Sequence, residues 1–552
     1  MKTNQFKLKN IILTASAVML LSMASCIKDL EQEPITDVTS ASIFKDFANY
    51  PNALAKLYGG LAIGGQVGGD GGVYPDTDIN GINGGFSQYT RLLYTLNVIT
   101  TDEAVIGWND GNLHTMHKMT WDSSNEFIAA MYYRIYTEIA FCNEFLRNVT
   151  DEKLASNNIA GDNLTEAKYM RAEARFLRAQ SYYHALDMFG NVPFVDETYL
   201  PGSINPPQRI ERAALFNYVE QELLACANDL KDAKANQYGR ADKAAAWALL
   251  ARLYLNAEVF SGTQRNNDCI TYCNKIIGAG YSLKQQIVQV PNPNNPNQSI
   301  SKDISYESLF LADNNINNPE AILTVNFDGL KTQTNGGTTY LVHAAIGGTM
   351  SAANFGVDNG WGGIRTTKAF VNKFPANGTD KRGRFHTDGQ SLEINDLGSF
   401  NDGFAFIKFK NIKSDGTSGA HKNWVEADIP LYRLADIYLM YAEATLRGGN
   451  GVMTTAIGYI NDLRQRAYGN TNGNVTSINL DFILDERSRE LSWETTRRSD
   501  LIRFGKFTTA DYLWPWKGNI KDGKAVESYR NLFPIPAKDI VANPNLQQNP
   551  GY

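Results

Sequence analysis

Residues 166–197 read EAKYMRAEARFLRAQSYYHALDMFGNVPFVDE, and the first two-thirds of the stretch has the pattern of one amphipathic helix. Met170, Ala174, Leu177, Ser181, Ala185 and Met188 recur at the spacing that keeps side chains on a single helical face. Arg171, Glu173, Arg175 and Arg178 supply charge, while Phe176, Tyr182, Tyr183 and Phe189 supply bulk for packing. Gly190-Asn191 stops the helix, as residues that tolerate a positive φ do. Val192-Pro193-Phe194-Val195 then leaves in an extended form.

Similar periodicity recurs along the chain. It spans Val38–Tyr58 (Ile43, Phe44, Phe47, Leu54, Leu57), Phe127–Asn148 (Met131, Ile135, Ile139, Leu146) and Ala214–Ala235 (Leu215, Val219, Leu223, Leu230). Lys243–Val259 and Asn266–Ala279 continue it. The run from Arg240 to Leu255, RADKAAAWALLARLYL, alternates small and large residues as closely packed helix pairs require. Tetratricopeptide repeats show the same alternation, although no exact 34-residue period is present here. Helix resumes at Leu431–Arg447, at Thr454–Tyr468 and from Leu480 to about Phe504. Between Gly280 and Trp424 the texture changes. Pro291-Asn-Pro-Asn-Asn-Pro-Asn297 excludes helix and reads as loop, and Ala321–Phe327 and Thr338–Val342 read as short strands. The fold expected is mainly α: a tetratricopeptide-like helical-repeat scaffold carrying a long loop-rich insertion with short strands. Residues 26–552 read as one domain, with scaffold at 38–58, 127–280 and 428–510 and loop-rich ligand-binding parts at 59–126 and 281–427.

The 552 residues are 43% hydrophobic and 20% charged, the balance of an ordinary globular protein. A net charge of −6 argues against nucleic acid, which demands a basic face. Lys2, Lys7 and Lys9 precede a short apolar run from Ile11 to Met23, and Met23-Ala24-Ser25-Cys26 has the small residues of a lipobox. Residues 1–25 therefore read as a lipoprotein signal peptide with lipidation at Cys26. The other cysteines, Cys142, Cys226, Cys269 and Cys273, fall in helical patterns without metal-ligand spacing and read as buried free thiols. His114 and His117 lack a third ligand and read as exposed. Asp76-Thr77-Asp78-Ile79-Asn80-Gly81 matches the front half of a calcium loop, but the twelfth position is Ser87, so an Asp/Asn-rich turn is the stronger reading and calcium the weaker.

Ala172-Glu173-x-Arg175-Phe176-Leu177-Arg178-Ala179, with Tyr182, Phe189-Gly190 and Pro193, resembles a signature of the SusD family, the surface glycan-binding lipoproteins of Bacteroidetes. Further segments fit in family order: Gly239–Ala244, Asp428–Arg433, Asp485–Glu490, Arg497–Phe504, Phe533–Pro536 and Asn549–Tyr552. With the lipobox they cover nearly the whole chain. Lys28-Asp29-Leu30-Glu31 resembles the acidic tag that sends such lipoproteins to the cell surface. The charges in these motifs suit structural work, since paired Arg and Glu lock helix ends through bidentate hydrogen bonds.

A sugar offers apolar C–H faces and hydroxyl edges, so its site combines flat aromatic rings with amide, carboxylate and guanidinium groups. Two places qualify. One runs from Thr101-Asp102-Glu103 through Trp108-Asn109-Asp110-Gly111-Asn112, with Arg91 upstream; the other is Asn359-Gly360-Trp361-Gly362. Trp108 reads equally well as core, whereas glycine neighbours favour exposure of Trp361. Starch-binding members of the family are similar around both tryptophans, which there belong to an aromatic arc following the curve of an α-glucan. The resemblance makes Arg91 a polar contact and Asn109, Asp110 or Asn112 a second. The third aromatic would fall just before Gly336-Gly337, where this chain has Asn335; nearby Tyr340 is the candidate replacement. The resemblance also implies an outer-membrane surface protein that captures α-glucan oligosaccharides for a SusC-like TonB-dependent transporter, with the helices toward that partner. No GxSxG, HExxH or P-loop supports catalysis. A relative of the same fold for another glycan or for peptides is the alternative, and an extracellular glycoside hydrolase a weaker one.

Overall fold

The computed structural model describes residues 40–65 and 78–552. The leader 1–25, Cys26, the tag 28–31 and Asp76-Thr77 of the calcium-like loop lie outside the described residues.

The chain is mainly helical. Helices α1 (Tyr50–Ala62) and α2 (Tyr89–Asn97) lead to strand β1 (Val105–Ile106). Helix α3 (Glu126–Asn148) starts where the Asn125 side chain accepts the N–H groups of Phe127 and Ile128. Helices α4 (Gly161–Met188), α5 (Arg212–Asp229), α6 (Lys243–Leu255) and α7 (Asn266–Gly278) follow. Next come the hairpin of β2 (Ile287–Asn292) and β3 (Asn295–Asp303), strand β4 (Ala321–Val325), helix α8 (Gly337–His343) and strand β5 (Ile364–Arg365). Strand β6 (Ile429–Arg433) returns the chain to helix: α9 (Leu434–Leu446), α10 (Met453–Tyr468), α11 (Leu480–Leu491) and α12 (Arg497–Arg503). From α3 to α7 each helix packs on the next; α7 packs on α9 and α9 on α10. The two ends of the chain thus build one stack, with the loop-rich middle inserted between them.

Helix α4 carries most of residues 166–197. From Ala172 onward α4 is buried on nearly every side, so its polar groups must find partners inside. Glu173 accepts from Arg240 Nε at 3.0 Å and from the Tyr58 hydroxyl at 2.6 Å. Arg178 donates to Asn143 at 2.8 Å and Glu222 at 2.9 Å. The Tyr182 hydroxyl donates to the Val195 carbonyl at 2.6 Å and accepts from the Val195 N–H at 2.9 Å, which holds the extended exit against the helix. Gly190 has φ +72, and a Cβ there would stand 2.9 Å from Leu532. In α6, Ala244, Ala245, Ala248 and Ala251 are all fully buried, as the small–large alternation predicts. Cys142, Cys226, Cys269 and Cys273 are buried free thiols.

The charged motifs form a buried lattice. Arg433 reaches Glu320 at 2.8 Å, Glu490 at 2.7 Å and both oxygens of Glu494 at 2.7 and 2.8 Å. Arg382 grips Asp380 twice and also donates to Glu486 at 2.8 Å and Glu490 at 3.0 Å. Arg466 joins Glu320 to Glu490, and Lys408 meets Glu494 at 2.6 Å.

Four local readings are corrected. The Pro/Asn-rich run 291–297 belongs to the β2–β3 hairpin, where Pro291 pairs with Ser299; a two-stranded ribbon has only edge strands, and edges tolerate proline. Thr338–Val342 is helical, in α8, which begins at Gly337 with φ +53 under the Phe327 ring. The helix expected over 480–504 breaks between Leu491 and Arg497, where Trp493 and Thr495 take φ +64. Strand β6 occupies 429–433, so the following helix starts at Leu434 rather than Leu431.

Buried carboxyls set an expected pH dependence. Burial pushes Glu103 and Asp428 up to about 7 and Glu138 up to about 8. Burial would likewise raise Asp436, Glu443 and Glu486, but adjacent guanidiniums outweigh it and hold each at about 2. The raised groups bind more protons folded than unfolded, so stability falls as pH climbs from their ordinary values toward 8. The depressed groups do the reverse, and their contribution is lost as pH falls from about 4.5 through 2. Burial lowers the pKa of His117 and of His184, the latter to about 3, so both bind fewer protons folded than unfolded and favour folding as pH rises to about 6.5. Calorimetric unfolding temperatures should fall as pH drops from about 4.5 to 2 and fall again as it climbs from about 6.5 to 8; a temperature that rises steadily from pH 6.5 to 8 contradicts this.

Candidate functional site

Strand β1 pairs antiparallel with β5, Val105 opposite Arg365 and Ile106 opposite Ile364. The Gly107 N–H extends the pairing to the Gly363 carbonyl at 2.8 Å. Trp108 follows β1 and Trp361 precedes β5, so this short ladder brings the two indoles together. Their ring centroids lie 6.2 Å apart with planes at 46°, and Trp108 Nε1 donates to the Trp361 carbonyl at 3.1 Å. The close approach requires glycine: a Cβ on Gly363 would stand 2.5 Å from Trp108 Cε2.

Each indole has a packed underside. Trp361 stacks on His343 at 4.7 Å and 21°, and its N–H donates to the His343 carbonyl at 2.8 Å. Burial lowers the His343 pKa, and its Nδ1 lies 2.9 Å from the Asn359 carbonyl, a contact that keeps the imidazole in register beneath the indole. Trp108 meets the Tyr340 ring edge-on at 6.1 Å. The Arg91 guanidinium lies 4.2 Å above Tyr340 and 5.9 Å from Trp108. Its Nη1 donates to the carbonyls of Gly85 at 2.7 Å and Asn335 at 3.0 Å. Burial lowers the Arg91 pKa, with Tyr340 and Asp110 opposing the shift. Both tryptophans are half-buried, so neither is sealed in the core.

Other expected members take different places. Tyr340 is 1% exposed, so it buttresses Trp108 and Arg91 and presents no free face to a ligand. Thr101, Asp102 and Glu103 are buried too. Arg497 grips Asp102 at 2.7 and 2.8 Å with the Tyr512 hydroxyl at 2.6 Å, and Glu103 accepts from Ser488 and from the Trp493 N–H at 3.0 Å each. They anchor β1 to the α11–α12 region and thereby fix where Trp108 stands. Asn109 and Asp110 are exposed beside Trp108. Asn112 is half-buried, its Oδ1 accepting the Glu126 N–H at 3.3 Å at the start of α3. His117 is 1% exposed, and burial holds its pKa far down; the inward face of the short helix His114–Lys118 overrides the expected exposure. In the described part of the calcium-like loop, Lys56 Nζ lies 3.0 and 3.1 Å from the two oxygens of Asp78. Among the described residues no three potential metal ligands come together. His343 and Gly363 escaped the sequence reading, because nothing local marks a histidine that will stack under a tryptophan far along the chain.

Residues 395–552 match the family model described as the SusD family, and residues 85–255 match one described as "Starch-binding associating with outer membrane". The chain is 33% identical to the starch-binding protein SusD of Bacteroides thetaiotaomicron over 97% of both chains. A crystallised SusD homolog from Bacteroides thetaiotaomicron superposes with a TM-score of 0.71 at 20% identity, covering 94% of this chain and 99% of that one. Surface glycan-binding protein A from the same organism, in complex with laminarihexaose, gives 0.63 at 21% identity, with 91% and 99% covered. The chain belongs to the SusD family. It is a binding protein and not an enzyme, in keeping with the names of these relatives.

Proposed function

We propose that the Trp108–Trp361 surface binds α-glucan oligosaccharides at the outer face of the cell and that the protein delivers them to a SusC-like TonB-dependent transporter. The observation that carries this reading is the meeting of two half-exposed indoles, 6.2 Å apart and tilted at 46°, from opposite ends of a two-strand ladder. Tilted faces suit a curved chain of sugar rings, whose C–H faces stack on the indoles. Arg91, Asn109 and Asp110 border Trp108 and are assigned the hydroxyl edges, with the Asn112 amide as a further donor. Identity to a starch-binding relative favours an α-glucan, and lipidation at Cys26 would hold the protein to the outer membrane. No bond is broken, and a shallow, wet platform gives weak affinity per site.

Native gels cast with amylopectin, pullulan, laminarin or a non-glucan polysaccharide test this. Retardation by amylopectin and pullulan without release of sugar is expected. Retardation by laminarin alone would move the assignment to a β-glucan, and retardation by none of the glucans would defeat it.

A further inference from the structure

Beside the tryptophan pair lies a ring that the reading above leaves without a task. Phe400 is half-buried, and it rests on main chain where three glycines leave room. A Cβ on Gly347 would stand 2.8 Å from the Phe400 ring, one on Gly348 3.6 Å and one on Gly362 3.9 Å. Gly362 directly follows Trp361 and directly precedes Gly363, the residue beneath Trp108. Residues 361–363 therefore carry three aromatic rings in succession: their own indole, the Phe400 phenyl and the Trp108 indole.

The loop that presents Phe400 is braced. Gln390 Nε2 donates to the Phe400 carbonyl at 2.9 Å, and Gln390 Oε1 accepts the Ala405 N–H at 2.8 Å. The Ser391 N–H reaches the Asn401 carbonyl at 2.8 Å, and Asp402 accepts the N–H groups of Asn395 and Asp396 at 2.7 Å each. A large apolar ring held by a rigid loop over a glycine floor makes a flat contact with little conformational entropy left to lose. The exposed Asn401 amide, whose Oδ1 would stand 3.1 Å from a Cβ on Gly348, places a hydrogen-bonding group beside it.

We propose that Phe400 is a further ligand-binding residue, an aromatic contact that extends the glucan site beyond Trp361. This inference rests on the functional reading above. Its test is calorimetric titration of wild type, Phe400→Ala and Phe400→Tyr with maltotriose and maltoheptaose. Phe400→Ala should weaken maltoheptaose roughly fivefold or more while maltotriose changes by less than about twofold, and Phe400→Tyr should keep both affinities. Equal losses for both lengths would show a disturbed glycine floor, and an unchanged maltoheptaose affinity would show an idle ring; either overturns the inference and leaves the functional reading standing. A wild type that binds neither sugar overturns both.

Discussion

Replacing Trp361 by alanine is expected to remove α-glucan binding while leaving the protein folded. The two hydrogen bonds that Trp361 makes to its neighbours use its main chain: the carbonyl accepts from Trp108 Nε1, and the N–H donates to His343. Alanine keeps both, so Trp108 stays in place and the change deletes the ring alone. What disappears is the face on which a sugar would stack, and His343 is left without its cover. Central aromatic contacts are typically worth about 2–4 kcal/mol, roughly a 30-fold loss or more. Against weak wild-type affinity, that loss reads as no detectable heat in a calorimetric titration with maltoheptaose. Binding within about threefold of wild type would remove Trp361 from the site.

The second large effect is on stability. Arg433 donates to Glu320, Glu490 and Glu494, and also to the Glu490 carbonyl at 2.8 Å, with every partner buried. Arg433→Met would fill much of the volume but leave three carboxylates short of their cation. Removing one side of a buried ion pair costs about 3–5 kcal/mol, because the surviving charges lose compensation that water cannot supply there. Denaturant unfolding should show that loss, with glucan affinity of the folded protein unchanged, since Arg433 bonds to Glu320, Glu490 and Glu494 and to neither tryptophan. A loss below about 1 kcal/mol would mean that Arg466, Arg382 and Lys408 suffice to hold the carboxylates.

The helical frame was legible because burial leaves a periodic trace. Phe127–Asn148 and Thr454–Tyr468 match helices Glu126–Asn148 and Met453–Tyr468 to within a residue. Departures came where distant contacts decide conformation. Trp493 adopts a positive φ with its N–H on Glu103, a partner nearly four hundred residues upstream. Thr338–Val342 has strand propensity but coils behind Gly337 against Phe327. The site follows the same division. Trp108, Trp361 and Arg91 stood out by residue type and setting, and the structure brings them together. The two-residue ladder that joins them, the histidine beneath Trp361 and the inward turn of Tyr340 have no local signature, because each depends on segments far apart in the chain.

A crystal structure of the protein soaked with maltoheptaose tests the role of the paired indoles most directly. The prediction is a glucosyl ring stacked within about 4 Å of the outer face of Trp361, with its neighbour reaching Trp108. Sugar bound elsewhere, with both indole faces bare, would contradict it.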